Sequence, residues 1–287
     1  MTSRRITSQS QVVTNGIGIQ SGGYVYPTTS ALPLTVTGIP VPSVHSANVD
    51  LAAAFKPKRA GKNPNLSHII FVLDDSASMQ SCRQSTIAGY NEYLQGQKED
   101  AKKTGIKTLV SLYKFNGWQV NNVFDRKDVA EVSPLTEKDY NPQGGTNLLD
   151  AIGGVMMQIN NLLIAKEKAD RESVIITILT DGEENQSRTF DNAAIKAMVE
   201  KAEAKNWAFM FLGANIDAFH AASTMGFSVH STMQYDTAAA ENTIRAASAM
   251  TSRLKAGYAS GMDTTANYMV SAFTQAERQA AVTKDDE

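Results

Sequence analysis

Three short stretches of this chain gather oxygen-bearing side chains in a pattern that suits a hard cation. They are Asp74-Asp75-Ser76-Ala77-Ser78, Gly144-Gly145-Thr146 and Thr180-Asp181-Gly182. Asp74 and Asp181 can neutralise a dication directly or through water, while the hydroxyls of Ser76, Ser78 and Thr146 add neutral oxygens. Mg²⁺ takes such a set: it wants an octahedron of oxygens at roughly 2.0–2.1 Å and keeps several waters beside one or two carboxylates. Ser76 and Ser78 are two residues apart, so an extended loop points both the same way. Gly144 and Gly145 allow close backbone approach and positive φ. A shell rich in neutral hydroxyls leaves the ion electrophilic, and a position held by water can then accept a carboxylate from outside.

These side chains need a scaffold that ends several strands at one edge. Residues 68–73 (HIIFVL) form a short apolar run that stops at Asp74, as expected of a strand covered on both faces. Residues 173–179 (SVIITIL) do the same just before Thr180 and Asp181. Further strands are expected at 107–115, 118–124, 207–212 and 229–232, and helices at 86–103, 147–166, 191–205, 217–225 and 237–255. In the helix expected at 147–166, Leu148, Ile152, Val155, Ile159 and Leu162 recur at helical spacing. Asn116-Gly117 between two β-like runs predicts a hairpin, which makes the strand at 118–124 an antiparallel edge. Alternation of strands and helices predicts an α/β fold, Rossmann-like and doubly wound. Its sheet is six-stranded and mostly parallel, with one antiparallel edge strand and helices on both faces. In open sheets of this kind ligands bind outside the carboxyl ends of the strands, which is where all three oxygen-rich stretches fall.

The composition narrows the function. The chain has 287 residues, 42% hydrophobic and 20% charged, with a formal charge of −2. That balance argues against general attraction to nucleic acid or to an anionic membrane. Cys82 is the single cysteine, which excludes an internal disulfide and a Cys-rich zinc site. No apolar run approaches the roughly 18 residues of a membrane span, and the first residues, MTSRRITSQSQVVTNG, lack the apolar core of a signal peptide. A reducing cytoplasm, or a particle assembled there, is the expected address.

Residues 1–62 differ from the remainder. They hold five prolines (Pro27, Pro33, Pro40, Pro42 and Pro57) and six basic residues (Arg4, Arg5, Lys56, Lys58, Arg59 and Lys62) against Asp50 alone, so the rest of the chain carries −7. Such a segment reads as an extended polar arm that docks on a neighbouring subunit or assembly protein, with few contacts to its own core. The expected division is arm 1–62, domain 63–260, and a polar, partly helical tail 261–287.

Other chemistry is less well supported. Asp74-Asp75 after a strand invites an aspartyl nucleophile, but Ser76 stands where a D-x-D phosphotransferase would carry its second aspartate. The glycines at 16, 18 and 22 follow no strand and lack the lysine of a phosphate loop. The four histidines are scattered, Cys82 reads as a buried inert thiol, and Asp217 as a helix cap.

The three oxygen-rich stretches together resemble the von Willebrand factor type A (vWA) domain. Its metal-ion-dependent adhesion site reads D-x-S-x-S, then a distant Thr, then a distant Asp. All five positions are present as Asp74, Ser76, Ser78, Thr146 and Asp181, with Ala77 where many relatives carry Gly. The resemblance covers about residues 67–260. It is strongest for stand-alone bacterial and phage domains, in NPQGGTNLLDAIG, LTDGEENQSR and FLGANIDA. It implies direct coordination of Mg²⁺ (or Mn²⁺) by Ser76, Ser78 and Thr146, with Asp74 and Asp181 acting mainly through water. It implies a protein partner offering Asp or Glu to the metal, and no catalysis. With the arm, it suggests a phage structural component in a virion; the alternative is a bacterial cytoplasmic scaffold working with an ATPase or stress-resistance system.

Overall fold

The computed structural model describes residues 50–182, 184–214 and 217–282, with the backbone of a two-residue antiparallel ribbon, Thr35–Val36 against Ile39–Pro40. The part of the expected arm before residue 50, other than this ribbon, lies outside the described residues.

Six strands make the sheet: β1 (Leu66–Asp74), β2 (Lys107–Phe115), β3 (Val120–Asp128), β4 (Ser173–Thr180), β5 (Trp207–Ala214) and β6 (Thr232–Tyr235). Their order is β3-β2-β1-β4-β5-β6, and only the β2–β3 pair is antiparallel. The fold is thus α/β and Rossmann-like, with the strands that end in Asp74 and Thr180 side by side at the centre.

Alternation along these apolar strands feeds two cores. Ile70, Val72, Ile176, Ile178, Phe209 and Phe211 pack on one face with helices α1 (Leu51–Ala54), α3 (Leu148–Ile164), α4 (Asn192–Glu203) and α5 (Ala218–Thr224). Ile69, Phe71, Leu73, Ile175, Leu179, Met210 and Leu212 pack on the other, against α2 (Arg83–Thr104) and α6 (Ala240–Ala259). Continuous burial of both faces explains why the central strands read as unbroken apolar runs.

Two strands sit elsewhere than their sequence suggests. The edge strand β3 starts at Val120 and continues through the charged residues Asp125 to Asp128, with a bulge opposite Ser111. Edge strands tolerate charge because one side faces water. Trp118 lies in the turn. At the opposite edge, residues 229–231 form a 3₁₀ turn whose start Ser228 caps, and the strand begins only at Thr232.

The packed body also reaches beyond 63 and 260. Phe55 is 2% exposed and meets Trp207 edge-to-face at 6.1 Å. Lys58 O accepts the Trp207 indole N–H, and the N–H groups of Ala60 and Gly61 reach Lys205 O and Glu172 O. At the other end α7 (Thr264–Ser271) and α8 (Gln275–Ala280) follow, and Tyr268, Phe273 and Ala281 join the core. The expectation that residues up to 62 make few contacts with the core is therefore corrected for 50–62.

One of these contacts carries a pH dependence. Tyr268 Oη accepts the Phe209 N–H at 2.7 Å and stands 3.0 Å from Glu203 Oε1. Burial, aided by Glu200, pushes Glu203 up to about 7, against the lowering effect of the Tyr268 hydroxyl. A carboxyl raised in the folded state stabilises fully below its unfolded value, about 4.3, and that stability drains away as pH rises towards 7. Glu203→Gln removes the titration. Urea unfolding is expected to show the wild type losing on the order of 2 kcal/mol relative to the variant between pH 4.5 and 7. Parallel stability curves would rule the effect out.

Candidate metal centre

The parallel register sets the site. Leu73 pairs with Leu179, so Asp74 and Thr180 end level on neighbouring strands. Asp74 is fully buried. Its Oδ1 accepts the Ser76 N–H at 2.8 Å, closing a tight turn, and its Oδ2 accepts the Thr180 hydroxyl at 2.5 Å. Burial pushes Asp74 up to about 6, although these donors pull it down. Ser76 and Ser78 do project the same way, with their hydroxyl oxygens 3.1 Å apart. Ser78 in turn donates to Asp181 Oδ1 at 2.6 Å.

Thr146 arrives from the loop before α3. A β-carbon added at Gly182 would lie 3.2 Å from Thr146 Oγ1 and 3.4 Å from Ser78 Oγ, so both hydroxyls close on one point beside that glycine. The structure therefore brings together all five residues singled out in the sequence, at the carboxyl edge of β1 and β4. Asp181 is 3% exposed, burial raises its pKa, and its Oδ2 has no hydrogen-bond partner. A buried carboxylate oxygen without a donor is costly in a folded protein. A divalent cation is the species that this all-oxygen donor set fits. Among the described residues no group of three or more His, Cys, Asp or Glu side chains converges, so the hydroxyls are essential to any such site.

The surrounding loops are held by acids that the sequence reading passed over. Asp150, on the first turn of α3, accepts the N–H groups of Arg188, Thr189 and Phe190. Glu184 accepts those of Leu149, Gln186 and Ser187. Tyr140 donates to Asp74 O at 2.6 Å, and Lys114 pairs with Asp75 at 3.0 Å. These partners are 35 or more residues away in sequence, apart from the two within the Glu184 loop, so only the fold reveals them. Gly144 has φ +80, and a β-carbon there would sit 3.1 Å from the Trp118 ring, which rests on this loop and is 64% exposed. Cys82 is buried and its thiol is raised by burial, as expected of an inert residue. Asp217 caps α5 by accepting the His220 N–H. His68 is buried against Ser111, Arg126 and Glu172, and burial lowers it to about 3.

No family model and no curated protein sequence matches this chain. Solved structures do. Proximal thread matrix protein 1 of the mussel byssus is 13% identical with a TM-score of 0.45, over 66% of this chain and 48% of that one. The chain thus spans about half the length of the mussel protein. Another crystal of that protein is described with a zinc-occupied MIDAS motif. The manganese-loaded TRAP protein of Plasmodium vivax is 14% identical, TM-score 0.43, over 62% and 72% of the two chains. The SpRpn10 VWA domain is 12% identical, TM-score 0.40, over 59% and 86%.

Proposed function

We propose that this chain is a metal-dependent protein–protein interaction module of the vWA kind. Ser76, Ser78 and Thr146 would hold Mg²⁺ or Mn²⁺ directly, with Asp74 and Asp181 acting mainly through water. One observation carries the reading: three hydroxyls and two aspartates meet at the carboxyl edge of adjacent central strands, with a buried Asp181 oxygen left without a donor. The ion, when bound, supplies an electrophilic position for a partner's Asp or Glu. The protein's own part is to fix the hydroxyls through the Asp74 turn and the Asp150 and Glu184 loop anchors. The role is adhesion or assembly, not catalysis. Its setting on this reading is a phage particle assembled in the host cytoplasm, with a bacterial cytoplasmic scaffold as the alternative; mass spectrometry of purified virions separates the two.

Calorimetric titration of Mg²⁺ or Mn²⁺ is expected to give one ion per chain, and Thr146→Ala to weaken it at least tenfold. A protein partner retained on the immobilised chain with Mg²⁺ should be released by EDTA and return when Mg²⁺ is restored. Retention unchanged by both EDTA and Thr146→Ala would show that the metal is not the contact.

A further inference from the structure

At the amino edge of the sheet, where β5 begins, a groove of about 440 Å³ runs between α1, the segment after it and the end of α4. Phe55, Pro57 and Ala204 give it an apolar floor, and Lys56, Lys201 and Lys205 supply its charge. Lys201, Ala204 and Lys205 are spaced by three and four residues, which sets them on one side of the helix end. Lys58 and Arg59 continue the basic segment, and the Ala60 N–H ties it to Lys205 O. Among the described residues no carboxylate lines the groove. Asp50 is turned to the Ala53 N–H and Glu203 to the Tyr268 hydroxyl, and the sequence has no Asp or Glu between residues 51 and 73. None of Lys56, Lys58, Arg59, Lys201 and Lys205 is in an ion pair among the described residues. Lys201 donates to Ala52 O, and the Arg59 Nε is buried without a hydrogen-bond partner.

We propose that this groove docks an acidic segment of a partner protein, in which carboxylates flank an aliphatic side chain. It is a second interaction surface, at the other edge of the sheet from the metal centre, and does not depend on the metal reading. Two features select that occupant. Clustered cations without carboxylates of their own make a positive potential that draws an anion from outside, and charges this close act together because the screening length is about 10 Å at 0.1 M salt. Flexible lysine stems let their compact ammonium groups follow unevenly spaced carboxylates. The apolar floor then favours a peptide over a phosphate chain, since a phosphate backbone offers nothing apolar to bury there. Single-stranded nucleic acid stacks its bases on open aromatic faces, whereas Phe55 is 2% exposed and packed on Trp207.

The test measures fluorescence anisotropy of a short labelled peptide, two glutamates on each side of one leucine, against the full chain. EDTA is present throughout, which keeps the peptide from binding through a metal. Replacing the glutamates by glutamine, or pairing Lys56→Glu with Lys205→Glu, is expected to weaken binding at least tenfold. Replacing the leucine by glycine should weaken it about fivefold. The paired variant spares Lys201, which holds Ala52 O, and its thermal unfolding should match the wild type. Lys102→Glu with Lys103→Glu makes the same change in net charge on the last turn of α2 and should leave binding unchanged. A peptide with lysines in place of the glutamates should reverse the preference and bind the Lys56→Glu, Lys205→Glu variant more tightly than the wild type. The groove is overturned as the docking site if the glutamate and glutamine peptides bind alike, or if the two charge-reversed variants lose affinity equally. An oligonucleotide of equal charge that binds as tightly as the peptide, with the leucine making no difference, would overturn the acidic segment and leave a general polyanion surface.

Discussion

Replacing Asp181 by alanine is expected to abolish Mg²⁺ binding, by at least a hundredfold in affinity, while the sheet stays folded. The residue supplies one of two carboxylates at the site, and its Oδ2 is the atom with no protein donor. The same change should stabilise the metal-free protein by about 1 kcal/mol, because a buried oxygen without a partner is removed. Ser78, which loses its acceptor, is solvent-exposed and can turn to water. Thermal unfolding with and without Mg²⁺ reads both effects at once. At a hundred times the dissociation constant, a bound ion adds about 2.7 kcal/mol, worth roughly 5–10 °C in a chain of this size. The wild type should show that rise, and Asp181→Ala should start slightly higher and show none. An equal rise in both proteins would exclude Asp181 from the centre.

The convergence of the five candidate residues was legible in sequence because they sit at places that local signals mark. Asp74 and Asp181 each follow an apolar run, and parallel central strands bring such ends together. What holds the centre was not legible. Thr180 anchors Asp74 only because Leu73 and Leu179 are in register, and Asp150 orders residues 188–190 from a different element. The edge strands were misplaced for a related reason. Asp125 to Asp128 carry charge that a central strand would not tolerate, and Thr232 to Tyr235 are too short to show alternation. The C-terminal helices were undervalued because they pack through isolated residues such as Tyr268 and Phe273, not an apolar stripe. Thr274 and Glu277 do form a capping box, a local signal for α8 that the sequence contains.

Truncating Phe55 to alanine is expected to cost about 4 kcal/mol, which overturns the division of the chain at residue 62. Phe55 is 2% exposed, lies edge-to-face on Trp207, and belongs to the same core as Ile176, Phe209 and Val199. Removing a buried phenyl ring loses its transfer energy and leaves a cavity. Trp207 is fully buried at the start of β5, and its indole N–H depends on Lys58 O, so the segment covers the ring and satisfies its donor together. The backbone from Ala60 to Lys62 adds bonds to Lys205, Glu172 and Arg171. The Phe55→Ala midpoint should therefore fall by roughly 8–16 °C. The comparison that decides the boundary is between a chain starting at residue 50 and one starting at residue 63. The shorter chain bares Trp207 and should melt at lower temperature, or aggregate, with Mg²⁺ binding retained wherever it remains folded. The Mg²⁺ readout matters because the proposed metal centre lies at the carboxyl edge of the sheet, whereas Phe55 packs where β5 begins. Equal melting of the two truncated chains, together with a Phe55→Ala cost below about 1 kcal/mol, would return residues 50–62 to the arm.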